Sequence, residues 1–406
     1  MDEMGTAADS YGVEAFEGGV PHKLFDRDRS AMPVRWVELG PDDGYWSVTS
    51  YPIVKEVLGD QARFSSWRGG VAIADSGDRA LAIQRQMLLT MDPPEHTAHR
   101  LTVNRRFIPR SIEQWRDHIA EIAANVVDHA IATVGETRRC DFVETIAAEI
   151  PLIVIAELLG VTPDHRDRFH AWSDAVANAQ DPEFAASSAD VIRAMREMAA
   201  YGLERIAERR AEPRDDLLTA IAHAEVHGEP LDEVHQGQWF FLLLAAGNET
   251  TRNALSGALI ALDAFPDQRQ LLVEQPELLD QAVEEVLRWF SPVHYFRRTA
   301  TTDTTLAGER IAEGEKVVLW LTAANRDPDV FADPHRFDIT RAPNPHVAFG
   351  HGTHFCLGSH LARLELRLTL PLLLEQLPGL RLAGAPDLAR NNLLHSVKRL
   401  PVRWDG

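Results

Sequence analysis

Cysteine is scarce in this chain, with two residues in 406, Cys140 and Cys356. So few thiols exclude a disulfide-based fold and are typical of a reducing compartment, so we expect a cytoplasmic protein. Long apolar runs are also missing, and the longest, Trp239 to Gly247, is about half the length of a membrane-spanning helix. The N-terminal residues are polar and acidic, which argues against a signal peptide. We therefore expect no association with a membrane.

Basic residues are outnumbered, because 41 lysines and arginines face 61 aspartates and glutamates, for a net charge of -20. This excess argues against nucleic acid and anionic membrane surfaces as partners. No repeat, low-complexity segment or linker divides the chain. We therefore predict one domain over residues 1–406, present as a monomer, with residues 1–30 as a loosely structured lead-in.

The hydrophobic pattern predicts a mainly α fold with small peripheral β-sheets. The expected segments are strands at 33–39 and 44–49, a short helix at 52–58, a loop at 65–78, helices from 92 onward including a central one at 238–264, and further strands at 293–321 and near the C-terminus.

Glycines flank Cys356 in the stretch that reads Phe-Gly-His-Gly-Thr-His-Phe-Cys-Leu-Gly over residues 349–358. Glycine permits close approaches that a Cβ would block, so we predict a loop that a bulky group touches. Leucines then recur at helical spacing, so a helix begins at or just after the cysteine, and its N-terminal field favours the thiolate. A lone thiolate here suits an iron porphyrin held by one sulfur, and a buried free cysteine is the alternative.

This pattern, Phe-x-x-Gly-x-x-x-Cys-x-Gly, resembles the haem-binding signature of the cytochrome P-450 superfamily. Further likeness, from about residue 45 to the end, is to the soluble, actinobacterial-type bacterial members. The resemblance implies the cytochrome P-450 fold and a haem b cofactor with Cys356 as the ligand of its iron. It also places Phe349, Gly350 and His354 in the cofactor-binding loop.

Pro93 and Pro94 are expected to open a helix that carries His96 and Arg100 on one face. An imidazole and a guanidinium one turn apart suit a carboxylate, although an ordinary exposed polar face is the alternative. The resemblance implies that both side chains bind haem propionates, together with Arg298 and His354.

The run Ala-Gly-Asn-Glu-Thr-Thr at residues 246–251 interrupts the apolar central helix with small and polar residues. Thr250 could bond to the preceding turn and bend the helix, and Glu249 could pair with a buried arginine. The resemblance to the pattern Ala-Gly-x-Asp/Glu-Thr-Thr implies instead that Thr250 supports dioxygen while Glu249 relays protons to it.

Glu285 and Arg288 lie one turn apart, and Arg336 follows in the segment Pro-His-Arg-Phe. Such pairs are frequent on exposed helices and usually contribute little. The resemblance implies that these three residues form a structural ion-pair network that holds the region around the cysteine loop.

The resemblance also implies a mostly apolar substrate pocket bordered by residues 66–88. Its other predicted members are Leu243, Leu244, Ala246, Gly247, Val293, His294, Tyr295, Phe296, Leu393, Leu394 and His395. The polar members His294, Tyr295 and His395 either orient an oxygen-bearing substrate or point into solvent, and the sequence leaves both possibilities open.

The function implied by the resemblance is a haem-thiolate monooxygenase that inserts one oxygen atom of O2 into a C–H bond of a small hydrophobic substrate. Terpenoids, steroid-like molecules and other alicyclic natural products are the expected class, with electrons from a ferredoxin and its ferredoxin reductase. A peroxygenase, a haem-thiolate isomerase or dehydratase, and a non-enzymatic haem sensor are the alternatives. The intact pair of Glu249 and Thr250 favours dioxygen activation.

Arginines cluster in two places despite the acidic balance of the chain. Arg105, Arg106 and Arg110 follow the helix of His96, and Arg363 and Arg367 follow Cys356. We expect them to form a positive patch that steers an acidic ferredoxin, at a rate that falls as salt rises. Pairing with local acids such as Glu113 and Glu365 is the alternative.

Overall fold

Helices make up most of the structure, and they form where apolar residues recur at a spacing of three to four. The computed structural model describes residues 11–41, 43–161 and 165–405. Its α-helices are α1 (His22–Ala31), α2 (Tyr51–Gly59), α3 (Asp78–Gln84), α4 (Glu95–Asn104), α5 (Pro109–Glu113), α6 (Arg116–Val134), α7 (Glu149–Leu159), α8 (Arg166–Ala177), α9 (Ser188–Ala211), α10 (Leu217–Ala222), α11 (Glu233–Ala264), α12 (Pro266–Glu274), α13 (Leu279–Phe290), α14 (Leu321–Ala324) and α15 (Ser359–Gln376). A π-helix (Val143–Ala147) precedes α7.

The strands are short and form several small sheets. They are β1 (Val34–Gly40), β2 (Asp43–Val48), β3 (Phe64–Ser65), β4 (Arg139–Asp141), β5 (Glu225–Val226), β6 (Glu229–Pro230), β7 (Tyr295–Ala300), β8 (Thr304–Leu306), β9 (Glu309–Ile311), β10 (Lys316–Trp320), β11 (Arg381–Leu382), β12 (Asp387–Leu388), β13 (Val397–Arg399) and β14 (Pro401–Arg403). The largest sheet has the order β1-β2-β10-β7-β3, in which β2 and β10 run parallel and the other pairs run antiparallel. The prediction of a mainly α fold with small sheets is confirmed.

Helix α11 forms the centre of the main hydrophobic core, where it packs against α7, α8, α9, α13 and α15. It begins five residues before the predicted start at Gln238, because the carboxylate of Asp232 accepts a hydrogen bond from the N–H of His235 at 2.9 Å. Such a cap satisfies one of the free donors at a helix N-terminus. Of the helices described, α11 included, none is long and apolar enough to cross a membrane.

The expectation of a loose lead-in was wrong for residues 11–30, while residues 1–10 lie outside the described part of the chain. A short 3-10 helix (Val13–Phe16) and α1 occupy this segment. The ring of Tyr11 is fully buried, with its centroid 4.8 Å from that of Phe25 and 5.0 Å from that of Trp320 in β10. These distant aromatic contacts order the segment, and the local sequence does not reveal them.

Candidate active site

Cys356 lies in a loop, three residues before the start of α15 at Ser359. The N–H of Cys356 donates to the carbonyl oxygen of Phe349 at 2.9 Å, which folds the loop back on itself. Gly350 and Gly352 have φ values of +72° and +70°, and a Cβ on Gly352 would lie 2.7 Å from the carbonyl oxygen of Leu58 in α2. Glycine is therefore needed at position 352 because the loop packs directly on the backbone of α2.

The sulfur of Cys356 lies in surroundings that oppose its ionisation. Burial raises the pKa of the Cys356 thiol, although the N–H of Gly358 and the guanidinium groups of Arg100 and Arg363 act to lower it. The donor at the start of the helix therefore acts in the expected direction, toward the thiolate, but burial has the larger effect on the pKa of Cys356. A metal ion bound to the sulfur would displace the proton outright.

Four basic side chains from three parts of the chain come together beside this loop: His96 and Arg100 from α4, Arg298 from β7, and His354 from the loop itself. The ring centroids of His96 and His354 are 4.3 Å apart, and Arg100 Nη1 donates to the carbonyl oxygen of Thr353 at 3.5 Å. Both ring nitrogens of His96 and Nε of Arg298 are buried without a hydrogen-bond partner among the described residues. Buried polar atoms without partners are rare, so the cluster needs acceptors from a bound group.

The electrostatics of this cluster point to an anionic group. Burial, with the nearby positive groups acting in the same direction, lowers the pKa of His96 to about 4 and that of His354 to about 2. Burial also lowers the pKa of Arg298 to about 10, and Asp92 is the acid that opposes this shift. Two carboxylates would supply both the charge and the acceptors that the cluster needs. The residues therefore fit the propionates of a haem.

The middle of α11 faces an open space, because Ala246 is exposed although most of this helix is buried. Thr250, one turn later, is partly buried, and its hydroxyl donates to the carbonyl oxygen of Ala246 at 2.8 Å. The predicted bond to the preceding turn is therefore present. Thr250 still borders the open space despite this bond, because the residue remains partly accessible beside Ala246.

Three predicted pocket residues of α11 face the protein interior and not the open space. Leu244 is fully buried in the main core, because two residues along a helix turn the side chain by about 200° from Ala246. At Gly247, a Cβ would lie 3.0 Å from Cγ1 of Ile155. The glycine therefore allows α7 to pack closely against α11, which leaves no room for a substrate on that side. Leu243 is also buried in the core, at 7% exposure.

The carboxylate of Glu249 is almost completely buried, at 1% exposure, and is held by three side chains. Asn253 Nδ2 donates to Oε1 at 3.1 Å, Asn178 Nδ2 donates to Oε1 at 3.4 Å, and Arg252 Nη1 lies 3.2 Å from Oε2. Burial alone would lower the pKa of Arg252, but Glu249 and then Asp174 raise it. The predicted buried arginine partner therefore exists.

Sequence analysis missed these partners of Glu249. Arg252 and Asn253 follow it in the same helix, at the spacings that bring side chains together, and that signal was available. Asn178 and Asp174 come from α8, and no local pattern relates them to α11.

The segment before and within β7 contributes fewer pocket residues than predicted. Tyr295 is buried against Trp320, and its hydroxyl oxygen accepts from the N–H of Ile73 at 3.2 Å. Because side chains of a strand alternate between faces, Tyr295 lies on the opposite face from Phe296 and Arg298. The prediction of Tyr295 as a pocket residue was therefore wrong, and neither of the two possibilities left open for it, contact with substrate or exposure to solvent, applies to this buried side chain.

The two histidines predicted near the substrate are occupied by protein contacts. His294 is buried, with Nδ1 2.9 Å from the hydroxyl of Thr322, so its prediction as a pocket residue was wrong. Nδ1 of His395 lies 2.7 Å from the carbonyl oxygen of Phe290, and the two rings stack with centroids 3.8 Å apart. By contrast, the predicted pocket residues Val293, Phe296, Leu393 and Leu394 are partly accessible, and Val293 pairs with Leu394 in an isolated β-bridge.

The predicted ion-pair network is present with one member exchanged. Both nitrogens of the Arg288 fork donate to the carboxylate of Glu285, at 2.7 and 2.8 Å. Arg341 supplies the second guanidinium, with Nε 3.1 Å from Glu285 Oε2. The guanidinium of Arg336 is 54% exposed and pairs with Asp267, so its prediction was wrong. Arg336 contributes only its carbonyl oxygen, which accepts from Arg288 at 3.1 Å.

Three of the five clustered arginines form ion pairs, though with other acids than predicted. Arg106 pairs with Asp215, Arg363 with Glu284 and Arg367 with Asp280. Arg105 and Arg110 have no ion pair within the described residues, and α5, which carries Arg110, packs on α15. The positive patch is therefore weaker than the sequence suggests. Of the two acids predicted as partners, Glu113 pairs with Arg116, whereas Glu365 is buried without an ion pair in the described chain.

Known proteins resemble both the sequence and the fold. Residues 269–378 match a family model described as Cytochrome P450. A steroid C26-monooxygenase of Mycolicibacterium smegmatis is 38% identical over 93% of this chain and 89% of its own length, and a linalool 8-monooxygenase of Pseudomonas putida is 35% identical over 94% and 95%. The structure of Mycobacterium marinum cytochrome P450 CYP268A2 in complex with pseudoionone has a TM-score of 0.92, with 34% identity and complete coverage of both chains.

Proposed function

This chain belongs to the cytochrome P450 family, and from that premise we propose that it hydroxylates a compact hydrophobic isoprenoid or steroid-like molecule with electrons from a ferredoxin. As a monooxygenase of this family it holds a haem-iron cofactor, which we propose to be haem b. The observation that carries the proposal is the cluster of His96, Arg100, Arg298 and His354 beside Cys356, which forms no ion pair with an acid among the described residues.

Cofactor binding is assigned to two sets of residues. Cys356 would provide the sulfur ligand of the iron, while the four basic side chains would bind the propionate carboxylates through charge-assisted hydrogen bonds. When bound, the haem activates O2 for insertion of one oxygen atom into a C–H bond. Phe349 and Gly350 would shape the loop beneath the porphyrin, and Arg363, 4.4 Å above the ring of Phe349, would fix that ring.

Proton delivery is assigned to Glu249 and Thr250. The Thr250 hydroxyl uses its hydrogen on the carbonyl oxygen of Ala246, which leaves its oxygen lone pairs free on the side of the open space. Glu249 is a buried acid one residue away, and a carboxylate that moves between its amide partners and this space can carry a proton inward.

The substrate class follows from the accessible residues Ala246, Val293, Phe296 and Leu394, which are apolar, while Nδ1 of the partly accessible His395 is bound to the carbonyl oxygen of Phe290. Since His294 and Tyr295 are bound to other protein groups, they offer no directed polar contact to the substrate. The similar enzymes named for steroid and linalool oxidation support the same class. We therefore expect affinity to rise with apolar area, at about 25 cal/mol per Å2 buried.

Electrons would come from an acidic ferredoxin with its ferredoxin reductase. Arg105 and Arg110 lack acidic partners within the described chain, and Arg363 lies close enough to Cys356 to affect the pKa of its thiol. A donor bound across α5 and α15 would therefore approach the sulfur side of the site.

The decisive experiment combines a spectrum with a product analysis. The reduced, carbon-monoxide-bound protein should show the red-shifted Soret band of thiolate-ligated haem, which Cys356→Ser should abolish and the matched Cys140→Ser should retain. Linalool and steroids should then be tested for spin-state shifts and for hydroxylated products with a ferredoxin, its reductase and O2. Loss of the band in Cys140→Ser, or displacement of iron-bound water only by small charged compounds, would overturn the proposal.

A further inference from the structure

The side chain of Asn391, a buried amide, binds the turn that carries Leu393 and Leu394, in addition to the β-bridge between Leu394 and Val293. Its Oδ1 accepts from the backbone N–H groups of Leu393 and Leu394, at 2.9 and 3.0 Å. Its Nδ2 donates to the carbonyl oxygen of Ala177 at 2.8 Å and to Oδ1 of Asn178 at 3.4 Å. Asn391 therefore joins the partly accessible turn to the C-terminal end of α8.

Asn178 continues the connection toward the acid. It caps the C-terminus of α8, and its Nδ2 donates to Oε1 of Glu249 at 3.4 Å. Two amides thus link the N–H groups of the turn to a carboxylate. In each amide the oxygen accepts a hydrogen bond from the side of the turn, and the nitrogen donates one toward Glu249. An ionised carboxylate can only accept, so reversing either amide would place two acceptors against each other.

The same C-terminal segment reaches Glu249 by a second route. Asn253 Nδ2 donates to Glu249 Oε1 at 3.1 Å and also lies 3.4 Å from the hydroxyl of Ser396. Its Oδ1 accepts from the N–H of Val397 at 3.0 Å. The position of the carboxylate therefore depends on the C-terminal segment from two sides.

We propose that Asn178 and Asn391 are positioning residues that couple the turn at Leu393 and Leu394 to the carboxylate of Glu249. A substrate packed on Leu394 fixes this turn, and the two amides transmit its position to the acid. The inference rests on the proposed function, in which Leu394 contacts substrate and Glu249 delivers protons.

The charged contact of Glu249 differs in kind from these amide contacts. Arg252 lies 3.2 Å from Oε2 and is itself bound by Asp174 at 2.6 Å, so the charged contact is the stronger restraint on the carboxylate. The amide links at 3.4 Å are longer than an ideal hydrogen bond and therefore yield more easily. They are the adjustable part of the arrangement.

The chain offers a matched control in the adjacent residue. Asn392 is also buried, and its Nδ2 donates to the carbonyl oxygen of Tyr11 at 3.1 Å while its Oδ1 accepts from Gln180 at 3.0 Å. Neither contact leads to Glu249. Replacing Asn392 therefore disturbs the same loop without breaking the amide connection.

The first test is spectroscopic and needs no turnover. Infrared difference spectra between the haem-loaded protein and its Glu249→Gln variant assign the carboxylate stretch of Glu249. We expect this band to shift in Asn178→Ala and in Asn391→Ala, and to stay in place in Asn392→Ala. An unchanged band in both of the first two variants would overturn the inference, as would an equal shift in Asn392→Ala.

The second test is kinetic, with linalool as the first probe and steroids as the next. In Asn178→Ala and Asn391→Ala, product formed per electron pair should fall about three- to tenfold, the range expected for one lost hydrogen bond. The solvent deuterium isotope effect on product formation should rise in both, while Asn392→Ala resembles the wild type.

The two possible failures are distinguishable. If Glu249→Gln and Thr250→Ala leave the coupling of electrons to product unchanged, the proposed proton delivery is wrong. If those two variants lose coupling while Asn178→Ala and Asn391→Ala keep it, only the positioning inference fails.

Discussion

Arg288 and Arg298 are both buried, yet their surroundings differ completely. Arg288 makes five hydrogen bonds, two to the carboxylate of Glu285 and three to carbonyl oxygens, each between 2.7 and 3.1 Å long. Arg298 has one within the described residues, from Nη1 to the carbonyl oxygen of Arg297, and its Nε has no partner there. The hydrogen bonds of the Arg288 guanidinium are all made within the protein, whereas the Arg298 guanidinium needs a hydrogen-bond acceptor from a bound group.

This difference separates residues that stabilise the fold from residues that bind the cofactor. A buried charge that is fully paired belongs to folding, because removing one partner leaves the other uncompensated. A buried charge without a partner is a cost to the fold, and the pKa of Arg298, which burial lowers to about 10, reflects that cost. Three substitutions test the comparison, from the largest expected effect to the smallest, and the first two are each paired with a control substitution.

Replacing Arg288 should have the largest effect, and it should act on folding. In Arg288→Met the carboxylate of Glu285 keeps Arg341 but loses its bidentate partner, which should lower the free energy of unfolding by about 3–5 kcal/mol. Urea denaturation of the haem-loaded and haem-free protein should give similar losses. If Arg288→Met lowered the free energy of unfolding only in the haem-loaded protein, the assignment of Arg288 to folding would be wrong.

Arg336→Met is the matched control for Arg288. Its side chain is 54% exposed and pairs with Asp267 alone among the described residues, so the free energy of unfolding measured in urea should change by no more than about 0.5 kcal/mol. A destabilisation equal to that of Arg288→Met would restore Arg336 to the network.

Replacing Arg298 should act on haem retention. Arg298→Leu removes a donor to a carboxylate, so haem transfer to an excess of apomyoglobin should be about 10- to 100-fold faster, as expected for one charge-assisted hydrogen bond. The free energy of unfolding of the haem-free protein should be unchanged or higher.

The adjacent Arg297 provides the control for loss of a buried guanidinium. It pairs with Asp75 at 2.6 Å, so Arg297→Met should destabilise the protein without accelerating haem transfer. Equal haem transfer rates in wild type and Arg298→Leu would contradict the assignment of Arg298 to a propionate.

Glu284 is paired, like Arg288, but its side chain is partly exposed, and its contribution to stability should depend on pH. Burial alone would raise its pKa, but Arg363 and His346 lower the pKa of Glu284 to about 2. A carboxyl with a depressed pKa in the folded state adds stability above its unfolded value of about 4.5, and that stability is lost as the pH falls toward 2. Glu284→Gln should therefore cost about 1–2 kcal/mol at pH 7, allowing for partial exposure. Urea denaturation between pH 7 and 3 should show this deficit shrinking below pH 4.5, and a constant deficit would contradict it.

The resemblance to a known family assigned the roles of the predicted site residues, and local spacing rules placed some of them relative to one another. His96 and Arg100 could be placed on one face of a helix, and Glu249 and Thr250 could be placed in α11, since helix geometry fixes such relations. The strand rule was also available: if Arg298 faces the cofactor, Tyr295 must face away, because three residues along a strand reverse the side. That inference would have prevented one error.

Other errors came from contacts that no local rule predicts. Arg336 and Arg341 lie five residues apart in one irregular segment, and only the folded backbone decides which guanidinium reaches Glu285. Asn178 and Asn391 are likewise brought to Glu249 from distant parts of the chain. Long-range partners such as these depend on tertiary packing and not on periodicity.

The parallel pairing of β2 with β10 has a consequence for synthesis in the cell. Trp46 of β2 lies opposite Val317 of β10, about 270 residues later in the chain. The ribosome therefore makes β2 about 14 to 54 s before β10. Tyr11 and Phe25 are likewise synthesised long before Trp320, the aromatic residue against which they pack. During translation, Tyr11, Phe25 and the edge of β2 therefore lack these partners, and exposed aromatic rings and unpaired strand edges favour aggregation until β10 has been synthesised.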